Sequence, residues 1–405
     1  MGKRTKLLAT VVAGVLLSTL AFTGCNGNNS KKDSKSLLIY VNSNQDETDA
    51  FKKIADKWGK DNGYEVTVKL NDNKDDFSKL KPILKSKNCP DIILGIPHDN
   101  LGNYVQAGLV SELSSSDVDT SDIRADQLMD AVKIDGKQYA VPLGQETVAL
   151  FYNKDKVKEA PTTMEDVVKL AKEGVGFNYN LTQVYANAGF IQAGDGYFFD
   201  KDDNGNYDPT KLGFDTEAAK NAYKFIKQLS DDKVINMEST DDVALSDFTS
   251  EKTGFFISGP WNVGAVKEKL GDKVGVVALP SLNGKTAHPF LGVQMGCVVK
   301  NSSKQDAAKK FLNDTYADLC EAEVTAGNRL PVINSVEANG DLFNAFTEAT
   351  KDAVLTPNIP EVAAIWNSCG NNIKLYVKGD ESLDDCAKNT MSETATEVSQ
   401  IQSKK

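Results

Sequence analysis

Leu37-Leu38-Ile39-Tyr40-Val41 is a short apolar run of buried-strand type, and the segments after it decide the fold. Phe51, Ile54, Ala55 and Trp58 recur at helical spacing, and Tyr64, Val66, Val68 and Leu70 then alternate as a half-buried strand. Phe77, Leu80, Ile83 and Leu84 give a second helix, and Asp91 to Leu94 a third strand. This alternation is the βαβ rhythm, which predicts a parallel sheet covered by helices on both faces. It resumes with strands near Tyr139 to Val141 and Val148 to Tyr152, and with helices around Met164 to Lys172 and Thr216 to Leu229. Phe255-Phe256-Ile257 and Val274 to Leu279 read as further strands. Two α/β lobes are therefore expected. Ligands of such open sheets bind beyond the carboxyl ends of the strands, so the residues after Val41, Leu94, Val141 and Ile257 matter most.

At 405 residues the chain exceeds one ordinary core, which also predicts two or more domains. The formal net charge is -11, and it becomes more negative once Lys3, Arg4 and Lys6 leave with the N-terminal leader. Only Arg124 and Arg329 then remain as arginines. Nucleic acids and phosphorylated ligands call for clustered Arg and Lys, so both classes are disfavoured. Cys89, Cys297, Cys320, Cys369 and Cys386 are scattered and odd in number, which reads as buried free thiols, with a Cys369–Cys386 bridge the one pairing left open. His98 and His288 belong to no metal-ligand motif, so no metal and no cofactor are expected.

Residues 1–25 read as an export signal: Lys3, Arg4 and Lys6, an apolar run from Leu7 to Leu20, then Thr23-Gly24-Cys25. Small residues directly before a cysteine resemble a bacterial lipobox, with Phe22 where leucine is commoner. That resemblance implies diacylation of Cys25, which would become the mature N-terminus on the outer face of the cytoplasmic membrane. Residues 26–36 are polar and without periodicity, a flexible tether. Farther on, Asp200-Lys201-Asp202-Asp203-Asn204-Gly205 imitates the first half of a calcium loop. The closing twelfth position is Lys211, a cation where a bidentate Glu belongs, so a surface hairpin turn is expected instead.

Four segments carry a resemblance. They are Pro90-Asp91-Ile92-Ile93 followed by His98-Asp99; Val141-Pro142 leading to Glu146 and Tyr152-Asn153-Lys154-Asp155; Ser258-Gly259-Pro260-Trp261; and Thr356-Pro357-Asn358-Ile359-Pro360 with Trp366. In order and spacing they resemble the maltodextrin-binding proteins, the extracytoplasmic solute receptors of ABC sugar importers. The resemblance implies a two-lobed periplasmic-binding-protein-like α/β fold, a ligand cleft between lobes and a hinge crossed three times. The N-lobe would be 36–145 plus 296–339 and the C-lobe 148–289 plus 342–405. It also implies a monomer, an α-glucan (maltooligosaccharide) ligand, ABC permease subunits as partners and no enzymatic activity.

A pyranose offers apolar faces to aromatic rings and a rim of hydroxyls to carboxylates and amides. By resemblance, Tyr185, Trp261 and Trp366 form the stacking platform on the second lobe, and Asp99 and Glu146 accept hydroxyl hydrogen bonds. Asn44 and Gln45 occupy positions where the family's best-known members carry a charged pair. Asn100 stands where an arginine is usual, Gly370 replaces another, and Asn367 replaces a tyrosine. The loop Gly95-Ile96-Pro97 is one residue longer than usual and lacks a tryptophan. A different oligosaccharide or polyol as cargo is therefore the main alternative. An exported glycoside hydrolase using Asp99 and Glu146 is a further one. Blander roles stand beside these: Asp99 as a helix N-cap, Glu146 as a surface strand position, His98 as structural and Trp58 as core, while Gln183 stays open between ligand contact and bystander because an insertion nearby blurs the match.

Overall fold

The computed structural model describes residues 35–71, 79–203 and 205–403. The leader, Cys25, most of the tether and Phe77 lie outside the described residues. The first lobe opens with β1 (Ser36–Val41), α1 (Gln45–Asn62), β2 (Glu65–Leu70), α2 (Leu80–Lys85), β3 (Ile92–Pro97) and α3 (Leu101–Gln106). The chain continues through β4 (Val141–Glu146), β5 (Ala149–Asn153), β6 (Phe177–Asn178), α4 (Val184–Ile191), β7 (Phe255–Ser258) and β8 (Val274–Val277). Then come β9 (Phe290–Val298), α5 (Gln305–Thr325), β10 (Val354–Leu355), α6 (Ala363–Lys378) and α7 (Leu383–Gln402).

Local chemistry explains α1 well. The Asn44 side chain accepts from the Glu47 N–H at 2.9 Å and the Glu47 carboxylate accepts from the Asn44 N–H at 3.2 Å, a capping box. Gly63 ends the helix at φ 72°, a left-handed conformation that a side chain would resist. Its buried face carries Phe51, Ala55 and Trp58. Trp58 packs against Tyr64 and Phe311 and donates to Asp314 at 2.8 Å, so the core reading of this tryptophan holds.

The two larger sheets carry the lobes, and neither is wholly parallel. The first runs β10-β9-β3-β1-β2, with β4 also paired to β9. Its β2-β1-β3 part is parallel as expected, but β9 is antiparallel to both β3 and β4. The second runs β8-β5-β7-β6, with β5 antiparallel to both neighbours. The departure has a topological cause. Strands β5 and β9 arrive from the opposite lobe and so enter their sheets from the cleft side, against the strands that leave by it.

Three passages join the lobes. β4 ends at Glu146 in the first sheet and β5 begins at Ala149 in the second. β9 returns the chain: Phe290 packs in the second-lobe core, while Val293 and Val298 pack in the first. Last, Val336 belongs to the first core and Phe346 meets Phe151 in the second, with Gly340 at φ 121° between them.

Several expectations shift in detail. The strand expected near Tyr139 begins only at Val141. The segment Gly95-Ile96-Pro97 is the end of β3 rather than a loop. Its pairing with β9 slips between Met295 and Gly296, so the extra residue is absorbed as a β-bulge at Gly95, whose φ is 72°. The calcium-like segment lies in an antiparallel hairpin of Phe199–Lys201 with Tyr207–Leu212, and Lys211 pairs with Asp208. All five described cysteines are buried and unbonded, Cys369 and Cys386 included. Among the described residues no helix is long and apolar enough to cross a membrane.

Candidate functional site

The second lobe gathers three half-buried rings from three separate elements. Tyr185 comes from α4, Trp261 from the tight turn Pro260–Asn262 just after β7, and Trp366 from α6. Tyr185 and Trp261 have ring centroids 6.3 Å apart. Phe290, fully buried at the start of β9, joins the set from beneath, 6.1 Å from Tyr185 and 5.8 Å from Trp366. The Tyr185 hydroxyl donates to the Phe290 carbonyl at 3.3 Å. Gly259 is required here: a Cβ would lie 2.0 Å from the Trp261 ring, which folds back over the turn. Phe290 thus links Trp366 to Tyr185, which in turn neighbours Trp261.

On the first lobe, β3 ends in the turn His98–Asn100. The helix after it is preceded by Asn100 with no side-chain cap, so neither Asp99 nor Asn100 serves as an N-cap. Burial pushes the Asp99 carboxyl up to about 7; the Trp366 indole from the other lobe pulls it back, and the Glu146 charge adds to the rise. Asn100 donates to Asp99 at 3.1 Å and to the Pro97 carbonyl at 3.2 Å. His98 is structural: its Nδ1 accepts from the Val293 N–H at 3.0 Å and its Nε2 lies 2.8 Å from the Thr356 carbonyl. Burial lowers its pKa to about 4, so the ring is neutral.

Glu146 is not a surface strand position, being only 7% exposed. It lies beside Tyr185: a Cβ on Gly292 would sit 2.9 Å from the Tyr185 hydroxyl and 3.0 Å from Glu146 Cγ. Its carboxylate is also not free. Gln294 donates to Oε1 at 3.0 Å and Arg329 Nε donates to Oε2 at 2.7 Å, leaving one further lone pair on each oxygen. Asn44 and Gln45 are similarly part-committed. The Asn44 Oδ1 is taken by the helix cap, and the exposed Gln45 donates to Asp49 at 2.8 Å. Gln183 precedes α4 without capping it and points to Asp241 at 3.4 Å.

Sequence reasoning missed Arg329, Glu47, Glu323, Gln294 and Phe290, all of them buried. Arg329 gave one usable signal, as one of two arginines beyond the leader. Ser43 was missed as well. Its buried hydroxyl has no protein partner among the described residues, and a Cβ on Gly95 would lie 2.2 Å from it.

Residues 53–352 match the model of the bacterial extracellular solute-binding protein family. The maltodextrin-binding protein of Bacillus subtilis is 29% identical over 94% of this chain and 95% of its own. The galactooligosaccharide-binding protein of the same organism is 28% identical over 93% and 94%. A maltooligosaccharide ABC transporter solute-binding lipoprotein of Streptococcus pneumoniae is 25% identical over 95% of each. Among solved structures, the maltose-maltodextrin binding protein of Alicyclobacillus acidocaldarius superposes with a TM-score of 0.81 at 28% identity. That superposition covers 89% of this chain and 100% of the other. That family model spans well over half of a chain built as two lobes joined by three passages, and the chain belongs to the bacterial extracellular solute-binding proteins.

Proposed function

We propose that this protein captures an α-glucan oligosaccharide outside the cytoplasmic membrane and delivers it to an ABC permease. One observation carries the reading: the rings of Tyr185, Trp261 and Trp366 cluster on one lobe, with the Asp99 carboxyl from the other lobe beside Trp366. Rings suit the C–H faces of a pyranose, and the carboxyls and amides suit its hydroxyl rim. Asp99, Asn100 and Glu146, with the uncommitted amide atoms of Asn44 and Gln45, are the polar contacts of this reading. Ligand contacts made on both lobes at once would favour closure over the open form. The lobes of this reading are 36–145 with 296–339, and 148–289 with 342–405.

The curated relatives named for maltodextrin and maltooligosaccharide favour an α-glucan. A second cargo, a galactooligosaccharide, is favoured by one relative at nearly the same identity and by the uncharged Asn44, Gln45, Asn100 and Gly370. Calorimetry with maltotriose and with a β-galactooligosaccharide separates the two. Hydrolysis is opposed by the relatives, which are named as binding proteins. Incubation with maltotetraose is expected to yield no shorter sugars.

Cys25 would anchor the receptor by two acyl chains, since one chain alone holds a protein only marginally. Tethering raises the effective concentration at the permease without any new contact. Cys25→Ser is expected to release the protein from the cell surface into the medium. Retention of that variant at the membrane would contradict the anchor.

A further inference from the structure

Beside the cleft, one guanidinium meets three carboxyls. Arg329 is hydrogen-bonded to Glu146 at 2.7 Å, to Glu323 at 3.1 Å and to Glu47, and all four residues are at most 7% exposed. The partners come from three elements: Glu47 from the first turn of α1, Glu146 from the end of β4 and Glu323 from α5. Backbone fixes the loop that carries Arg329. Leu330 and Gln145 exchange N–H···O bonds of 2.9 and 3.0 Å, and the Gln145 side chain donates to the Pro331 carbonyl at 2.9 Å. Two glycines make room. A Cβ on Gly327 would lie 2.6 Å from Glu47 Oε1 and 2.7 Å from Arg329 Nη1, and one on Gly144 would lie 3.1 Å from Glu323 Cβ.

Three buried carboxylates against one cation would leave excess negative charge out of water. Burial, together with the Glu47 and Glu146 charges, pushes Glu323 up to about 8 although Arg329 opposes the rise. Its Oε1 receives no hydrogen bond from a donor among the described residues, and the facing Glu47 carboxylate can accept a proton held by Glu323. The other groups facing the cluster are Asp99, Tyr185 and Cys320. A neutral Glu323 leaves the guanidinium to bridge Glu146 and Glu47, and Glu47 is the residue that closes the capping box with Asn44.

We propose that Arg329 is the positioning residue of the cleft, holding Glu146 and, through Glu47, the Asn44 end of α1 in the one arrangement that meets the ligand. The proposal rests on the reading of Glu146 as a ligand contact. Arg329 itself need not touch sugar. Its planar fork serves two carboxylates at once in fixed directions, which the flexible point charge of a lysine does not reproduce.

The test is calorimetric titration of the full chain with maltotriose, using R329K, E146Q, the double variant and E323Q. R329K, which keeps the charge, is expected to weaken binding about 10-fold or more in the wild-type background and distinctly less on top of E146Q, where only the route through Glu47 is left to lose. Equal weakening in both backgrounds, or none, overturns the proposal. E146Q without effect removes the ligand reading of Glu146 as well, so the two failures are distinguishable. E323Q supplies a readout that a purely structural role would not move. Wild-type affinity is expected to fall as pH rises above about 8, when an ionised Glu323 competes for the guanidinium, and E323Q is expected to abolish that fall. The same fall in E323Q contradicts the account.

Discussion

Trp58, Trp261 and Trp366 are the same residue in three settings, and the settings separate core from cleft. Trp58 is 5% exposed with its indole N–H bound to Asp314, whereas the other two are half-buried, Trp261 in a tight turn and Trp366 on α6. Proximity to Gly259-Pro260 marked Trp261 in the sequence, and the structure adds why glycine is needed there. Trp261→Ala and Trp366→Ala are each expected to cut oligosaccharide affinity about 10-fold or more, while leaving the fold intact by circular dichroism. Glu323 was not legible, because a charge inside a long helix such as α5 normally reads as a solvated face; only tertiary packing puts Arg329 beside it. Its folded pKa, raised to about 8, means that the folded state binds the proton more tightly than the unfolded chain. Stability is therefore greatest below the unfolded value and declines as pH rises toward 8, by up to about 1.4 kcal/mol per pH unit for each such proton. Asp99 adds a like decline that ends near 7. Between pH 7 and 8 the remaining fall in denaturation midpoint is expected to flatten in Glu323→Gln; an unchanged slope would show that Glu323 is not the titrating group.

At the scale of elements, α1 and β9 mark the two extremes of legibility. The apolar spacing of Phe51, Ala55 and Trp58 and the bounds Asn44 and Gly63 are local signals, and local signals survive folding. β9 is nine buried residues in which Gly292, Gln294 and Gly296 alternate with Leu291, Val293, Met295 and Cys297, but none of the nine is charged, so the strand has no solvent-facing pattern to mark it. Those residues serve close approach: a Cβ at Gly292 would press on Tyr185 and Glu146, and one at Gly296 would lie 3.0 Å from Leu94. α4 escaped notice for a related reason, being buried nearly all round and so lacking a polar face. For α1, Asn44→Ala is expected to cost about 1 kcal/mol of stability through loss of the cap. Chemical denaturation checks this, and an unchanged midpoint would mean that the capping box is not formed in solution.

For the whole molecule, the two-lobe organisation followed from the strand–helix rhythm, but the paths between lobes did not. Periodicity records what each segment buries, and a crossing such as Thr147-Val148 has no period of its own. The antiparallel entries of β5 and β9 arise from those crossings, which is why a parallel sheet was a fair expectation for β2-β1-β3 and a wrong one elsewhere. Likewise the site was legible as residue types and not as commitments. Tyr185, Trp261 and Trp366 are joined through Tyr185–Trp261 proximity and the shared neighbour Phe290, while half of the hydrogen-bonding capacity of Glu146 is already spent inside the protein. The ring platform and the opposing carboxyls make sugar capture the central claim. Isothermal titration calorimetry of the protein with maltose, maltotriose, maltotetraose and a β-galactooligosaccharide tests it most directly. Saturable one-to-one binding of the α-glucans, tighter than that of the galactooligosaccharide and weakened about 10-fold or more in Trp366→Ala, is the expected result; no heat with any oligosaccharide would contradict the account.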